Sequence, residues 1–157
     1  MRAAQVITLA GPEAVEVLDV DEPQAGQVLI DVHYAGVTFP DVLLTRGQYQ
    51  IRPGLPFTPG SEVAGIVRSA PEGSGFAPGD RVAAFPGLGG FAEVVAADPR
   101  MVFALPDEVS LQAAAGLPMN YLTVHFALVR RGRMTPGETV LVHGAAGGIG
   151  TAAIQMA

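Results

Sequence analysis

The sequence predicts a mixed α/β chain, with an irregular antiparallel barrel of short strands up to about residue 105 and helices beyond it. Three observations predict this class. Short runs rich in β-branched residues are punctuated by Pro53-Gly54, Pro59-Gly60, Pro78-Gly79 and Pro86-Gly87. After Leu105 that punctuation thins into long uncharged stretches rich in Ala and Leu. At the end, Val140-Leu141-Val142 runs straight into a glycine cluster and then a helical pattern. A chain of 157 residues suffices for about one domain with its own core, so no disulfide or metal staple is required.

The elements follow in order. Residues 14–20 alternate around Val15 and Val17, and after a slip around Leu18 and Val20. Residues 27–37 form the clearest strand, with Val28, Ile30 and Val32 on one face and Leu29, Asp31 and His33 on the other. Further strands are expected at 61–69, 81–85, 91–96 and 101–104, and a short helix at 38–46. Ser110 caps an Ala-rich turn, and Pro118 fits the first turn of a helix reaching about Arg131. Met119, Leu122, Phe126 and Val129 share one face of that helix, and Arg130, Arg131 and Arg133 sit where cations oppose its dipole. Val140-Leu141-Val142 reads as a buried strand and 149–157 as a helix. No internal repeat or low-complexity segment occurs.

Composition removes several function classes. Cysteine is absent, which excludes disulfides, thiolate catalysis and any Cys-ligated metal. All nine basic residues are arginine, so a Schiff-base lysine and a Walker-type phosphate lysine are excluded too. A net charge of −6 argues against nucleic acid as a partner. Residues 109–129 and 139–157 are uncharged and long enough to span a membrane, but glycines, Pro118, Gln112, Asn120 and His125 interrupt them. They read as buried segments, so no membrane partner is expected. The N-terminus lacks the apolar core of a signal peptide, and a cytoplasmic protein is the expectation.

Two constellations carry chemistry. In Val140-Leu141-Val142-His143-Gly144-Ala145-Ala146-Gly147-Gly148-Ile149-Gly150, a strand, a tight glycine turn and a helix start follow one another. Glycines there let the backbone approach a pyrophosphate, and free N–H groups with the helix dipole stabilise its charge. Ala145 stands where such motifs usually have their first glycine, and a plain strand–helix turn remains the alternative. The second constellation is Gly36-Val37-Thr38-Phe39-Pro40-Asp41, then Gly47-Gln48-Tyr49, then Pro59-Gly60-Ser61-Glu62. Local pattern favours plain readings: Thr38 and Asp41 as a capping box, Tyr49 as a half-buried aromatic, Glu62 as a buried acid.

Taken together, segments 36–49, 55–62, 78–82, 89–93, 117–128 and 135–150 resemble, in order, the medium-chain dehydrogenase/reductase superfamily. The resemblance is to its zinc-free quinone oxidoreductase branch, the zeta-crystallin-like proteins. It implies a GroES-like barrel over residues 1–117 and the start of a Rossmann NADPH-binding domain over residues 118–157. Zinc relatives carry Cys where Thr38 stands and His where Ser61 stands, so no catalytic metal is expected. The implied activity is hydride transfer from NADPH to a small-molecule quinone or enone, in a cytoplasmic homodimer.

By the same resemblance, Gly147, Gly148, Ile149 and Gly150 hold the pyrophosphate, and Thr123 lies near the nicotinamide carboxamide. Tyr49 matches a tyrosine that protonates substrate in related enoyl-thioester reductases, with Thr38 and Asp41 completing the active-site segment. Asp41 is expected to order the helix rather than transfer protons. Quinone reductases often have Asn at the Thr38 position, which shortens or removes a polar contact to the pocket. Family members are about twice as long, so the chain is expected to be a fragment, a truncated form or one part of a split protein. An enoyl-thioester reductase and a non-enzymatic GroES-like binding module remain the alternatives.

Overall fold

The computed structural model describes all 157 residues, Met1–Ala157. Its contacts divide the chain into two compact units, Met1–Gly116 and Leu117–Ala157.

In the first unit, strands β1 (Arg2–Val6) and β2 (Val15–Asp19) pair antiparallel. β3 (Val28–Gly36), β4 (Glu62–Ser69), β5 (Arg81–Ala84), β6 (Val94–Ala97) and β7 (Val102–Ala104) form an antiparallel sheet in the order β6-β3-β4-β5-β7. β1 joins the two sheets through bridges from Ala3 to Ala92 and from Val6 to Phe57. Arg2 reinforces that seam: its backbone N–H and then its guanidinium bond Glu93 and hold that carboxyl below the usual range.

Alternation along the strands produces two cores. Val28, Ile30, Val63, Val67, Val82, Ala84, Val95, Ala97 and Val102 fill one face. The intervening Ala64 and Ala83 turn the other way, where α2 (Leu111–Ala114) packs Ala114 and Ala115 against them. The Ser110 hydroxyl accepts the Ala113 N–H and caps α2 as its sequence position predicts. Between Val32 and Tyr34 the β3–β4 register slips by one residue, a bulge at His33 opposite Gly65. A third cluster of Val6, Leu44 and Phe57 seats α1 (Phe39–Thr45).

In the second unit α3 (Pro118–Val124) continues without a break as a π-helical segment over His125–Arg131. The wider turn places the Arg131 guanidinium 5.1 Å from the Phe126 ring centre, a cation–π contact. α4 (Gly148–Met156) packs Ala152 and Ala153 on Val124, flanked by Tyr121 and Leu128.

One strand is missing from the sequence reading, and three expectations need correction. β1 escapes that reading because Ala3 and Ala4 carry little β signal. The strand expected at 91–96 forms only at Val94–Ala97. The helix face formed by Leu122, Phe126 and Val129 is exposed, and Val124 and Leu128 make the packing stripe instead. Finally, Val140-Leu141-Val142 is in no sheet, and Leu141 is 81% exposed. A parallel strand needs neighbours on both sides, and no other segment of this chain pairs with it.

Candidate functional site

The first constellation is built at the N-terminus of α1. Thr38 is the extended residue before the helix, and Asp41, one turn in, reaches back to it. Asp41 Oδ2 accepts the Thr38 N–H at 2.8 Å and the Thr38 hydroxyl at 2.7 Å, while Oδ1 accepts the Gly60 N–H at 3.1 Å. The carboxylate is 4% exposed and compensates its burial through donors alone. It therefore staples the α1 segment to the Pro59–Gly60 turn, nineteen residues away.

That turn is pinned from its other side. Gly60 has φ +96°, and a Cβ there would lie 2.6 Å from the Phe91 nitrogen. The Gly90 N–H bonds the Gly60 carbonyl at 2.9 Å and the Phe91 N–H bonds the Pro59 carbonyl at 3.0 Å. Three segments that stand apart in the sequence, 36–41, 58–62 and 89–91, thus meet. Glycine is required at 36 as well, because a Cβ would run into the Glu62 carboxylate and the Ala115 carbonyl. Glu62 is 2% exposed, a buried acid as its position suggests.

Ser61 is also buried, and its hydroxyl has no hydrogen-bond partner. Leaving such a group unpaired costs stability, so Ser61→Ala should stabilise the chain by about 1 kcal/mol and raise its melting temperature by a few degrees. Thermal denaturation of the two proteins checks this, and a lower melting point in the variant would contradict it.

Tyr49 packs its half-buried ring on the cluster of Val6, Leu44 and Phe57 and makes no hydrogen bond to Thr38 or Asp41. Clefts of about 430 and 300 Å³ open on the first unit, around Gln5 and Thr58 and around His33 and Phe91, and neither is lined by Thr38, Asp41 or Tyr49.

The second constellation lies in the other unit. Gly144 has φ +66°, which favours glycine, and its carbonyl accepts the Gly147 N–H at 3.0 Å to close the turn. Gly147 precedes α4, and no side chain caps this helix. Its first-turn N–H groups consequently have no partner within the helix. Gly150 lies under the loop, where a Cβ would meet the Gly144 carbonyl and the Ala145 Cα. A Cβ at Gly148 would lie 2.8 Å from the Asn120 amide, which sequence reasoning did not single out. Gly144 through Ile149 are exposed. Thr123 donates its hydroxyl to the Met119 carbonyl at 2.6 Å, leaving its oxygen to accept. The turn, the close approach and the uncapped helix start fit a pyrophosphate.

With this geometry in hand, comparison places the chain in a family. Its residues 24–107 match the Alcohol dehydrogenase GroES-like domain, and the chain belongs to that family. It belongs more broadly to the medium-chain dehydrogenase/reductase superfamily, and its relatives there are quinone oxidoreductases. It is 43% identical to quinone oxidoreductase-like protein 2 of Bos taurus, over 99% of this chain and 45% of that protein. It is 54% identical to a probable oxidoreductase of Mycobacterium abscessus, with a TM-score of 0.91 over 99% of this chain and 51% of that one. The quinone oxidoreductase of Thermus thermophilus, whose structure is also known in complex with NADPH, is 40% identical with a TM-score of 0.85, over 99% of this chain and 49% of that one. The chain spans about half the length of the relatives it matches, corresponding to their N-terminal half. No helix is long and apolar enough to cross a membrane.

Proposed function

We propose that this chain is the N-terminal part of a zinc-independent oxidoreductase that transfers a hydride from NADPH to a quinone. Residues 1–117 are its substrate-side domain, and residues 118–157 begin its NADPH-binding domain. The observation that carries the reading is the Gly144–Gly150 loop, whose fit to a pyrophosphate joins a barrel similar to those of quinone oxidoreductases.

Bound NADPH supplies the hydride. The N–H groups of Gly148, Ile149 and Gly150 hold the pyrophosphate without a side chain competing for them, and Gly147, whose N–H closes the turn on Gly144, lets the backbone approach it. Thr123, its proton given to Met119, accepts from the carboxamide. Thr38 and Asp41 shape the substrate side. At 38 and 61, where zinc relatives carry Cys and His, this chain has Thr and Ser, whose neutral hydroxyls are poor zinc donors. The intact enzyme acts as a cytoplasmic homodimer.

The test is NADPH oxidation by the protein of the whole reading frame that contains this chain, with small quinones and a crotonyl thioester as acceptors. Quinone turnover is expected; turnover confined to the thioester would overturn the reading in favour of an enoyl reductase. Tyr49 keeps that second reading in view, since a phenol beside the acceptor can deliver the proton once hydride has added. If it does so, Tyr49→Phe lowers thioester turnover by about 100-fold, within the range for a lost general acid. An unchanged rate would remove the proton-donor role.

A further inference from the structure

The larger cleft of the first unit, about 430 Å³, has no part in the proposed hydride transfer. Its volume lies within the roughly 300–1,000 Å³ of small-molecule sites. Along β1, Gln5 shares a face with Ala3, where a buried strand side ordinarily carries an aliphatic residue. Gln5 lines the cleft although it is only 7% exposed. Its Nε2 donates to the Thr58 hydroxyl oxygen. No group of the chain donates to Gln5 Oε1, and none accepts the Thr58 hydroxyl proton. Ser61 Oγ alone among side-chain polar atoms is both sealed from solvent and unpaired, so Gln5 Oε1 opens on the cleft.

Backbone bonds hold this pair in place. Val6 and Phe57 exchange hydrogen bonds at 2.8 and 3.2 Å, which sets their neighbours Gln5 and Thr58 opposite each other. The Gly89 N–H bonds the Thr58 carbonyl at 2.9 Å and brings Leu88 to the wall. Val20, Pro23, Phe57, Leu88 and Val94 give the cleft an apolar lining. Its two charged groups are the exposed Asp21 carboxylate and the Met1 ammonium, which bonds the Val20 carbonyl at 2.8 Å. They offset each other, and no cationic side chain lines the cleft. Burying an amide with one end unpaired is costly, and a ligand that pairs it recovers that cost.

We propose that this cleft is a binding site for a neutral phenol, whose hydroxyl donates to Gln5 Oε1 and accepts from the Thr58 hydroxyl while its ring lies on the apolar lining. Both protein oxygens flank the Gln5 amide nitrogen, so one ligand hydroxyl can meet the two. A quinone has carbonyls only and leaves Oε1 unpaired. A carboxylate or phosphate brings a charge that no side chain here compensates. The site is separate from Thr38, Asp41 and Tyr49, none of which lines the cleft, and it does not depend on quinone reduction.

The experiment titrates the isotope-labelled chain with p-cresol, with p-methylanisole, which keeps the ring but has no donor, and with the p-toluate anion. NMR follows the Gln5 side-chain amide and the Thr58 methyl group. We expect p-cresol to shift both signals, saturating with a Kd of about 5 mM or below, as suits a ligand of about eight heavy atoms. The anisole should bind at least about 5-fold more weakly, the discrimination of one hydrogen bond, and the anion more weakly still. Gln5→Met keeps the length of the side chain and should abolish the preference for the phenol over the anisole. Thr58→Val should weaken p-cresol binding by about 3-fold or more, and it decides the matter if Gln5→Met does not fold. Equal or tighter binding of either control at these two residues would overturn the proposal. So would the absence of a saturable shift there at about 20 mM p-cresol, a preference that survives in Gln5→Met, or unchanged affinity in Thr58→Val.

Discussion

Gly65→Ala is expected to cost more than 3 kcal/mol, above the usual range for overpacking, and to leave little native protein at 37 °C. Gly65 faces the bulge at His33 in the most extensive strand pairing of the chain, β3 with β4. A Cβ there would overlap the Asp31 carbonyl oxygen, lie 2.9 Å from the Asp31 carbonyl carbon and touch the Ile30 side chain at 3.0 Å. The first two are backbone atoms, and Ile30 is fully buried, so neither can step aside cheaply. Relief requires β3 and β4 to separate at the centre of the sheet, with loss of ladder bonds on both sides. Against a total stability of about 5–15 kcal/mol, such a loss is visible in any urea melt as a large drop in midpoint. Gly54→Ala is the control: nothing lies within 4 Å of its Cβ, and the midpoint should move little. Equal midpoints for the two variants would show that β3 and β4 do not approach as described.

Gly150→Val should abolish the nucleotide binding proposed for the loop, lowering NADPH affinity by about 100-fold or more, equivalent to roughly 2.7 kcal/mol. The glycine turn sits on α4 so closely that a Cβ would meet the Gly144 carbonyl and lie 2.6 Å from the Ala145 Cα. A branched side chain there forces the turn away from the helix start. The free N–H groups of Gly148, Ile149 and Gly150 are then no longer presented together beside the turn, and that convergence is what makes an anion site. Reduced-nicotinamide fluorescence reads the affinity, and far-ultraviolet circular dichroism establishes that the helices persist. Wild-type affinity in a folded Gly150→Val protein would show that the pyrophosphate lies elsewhere.

Much of the strand pattern was legible because one face of each strand is buried. Val28, Ile30 and Val82 alternate with residues facing the other way, and that period of two identifies β3 and β5 without long-range information. The Thr38–Asp41 pair was legible too, since both its partners lie within four residues. β1 was not, because Ala3 and Ala4 carry little β signal, and its bridges to Phe57 and Ala92 lie 51 and 89 positions away. The packing stripe of α3 was ambiguous for a different reason. Leu122, Phe126 and Val129 form as good an apolar row as Val124 and Leu128, so periodicity could not choose between them. Nor does any residue announce the π-helical turn that follows. In Val140-Leu141-Val142 the β propensity is real, but pairing belongs to the partner strands, and no local signal supplies them. Residues of the candidate site could be nominated from sequence one segment at a time. Their convergence through Gly60 on Gly90 and Phe91 is a tertiary fact, and the glycines at those positions were its only local trace.

The most direct test of the central claim is NADPH oxidation with a small quinone by the protein of the whole reading frame, after exhaustive dialysis against a chelator and with zinc content measured on the same sample. One hydroquinone should form per NADPH oxidised, at an undiminished rate with zinc below stoichiometry. Loss of activity on chelation, restored by added zinc, would contradict it.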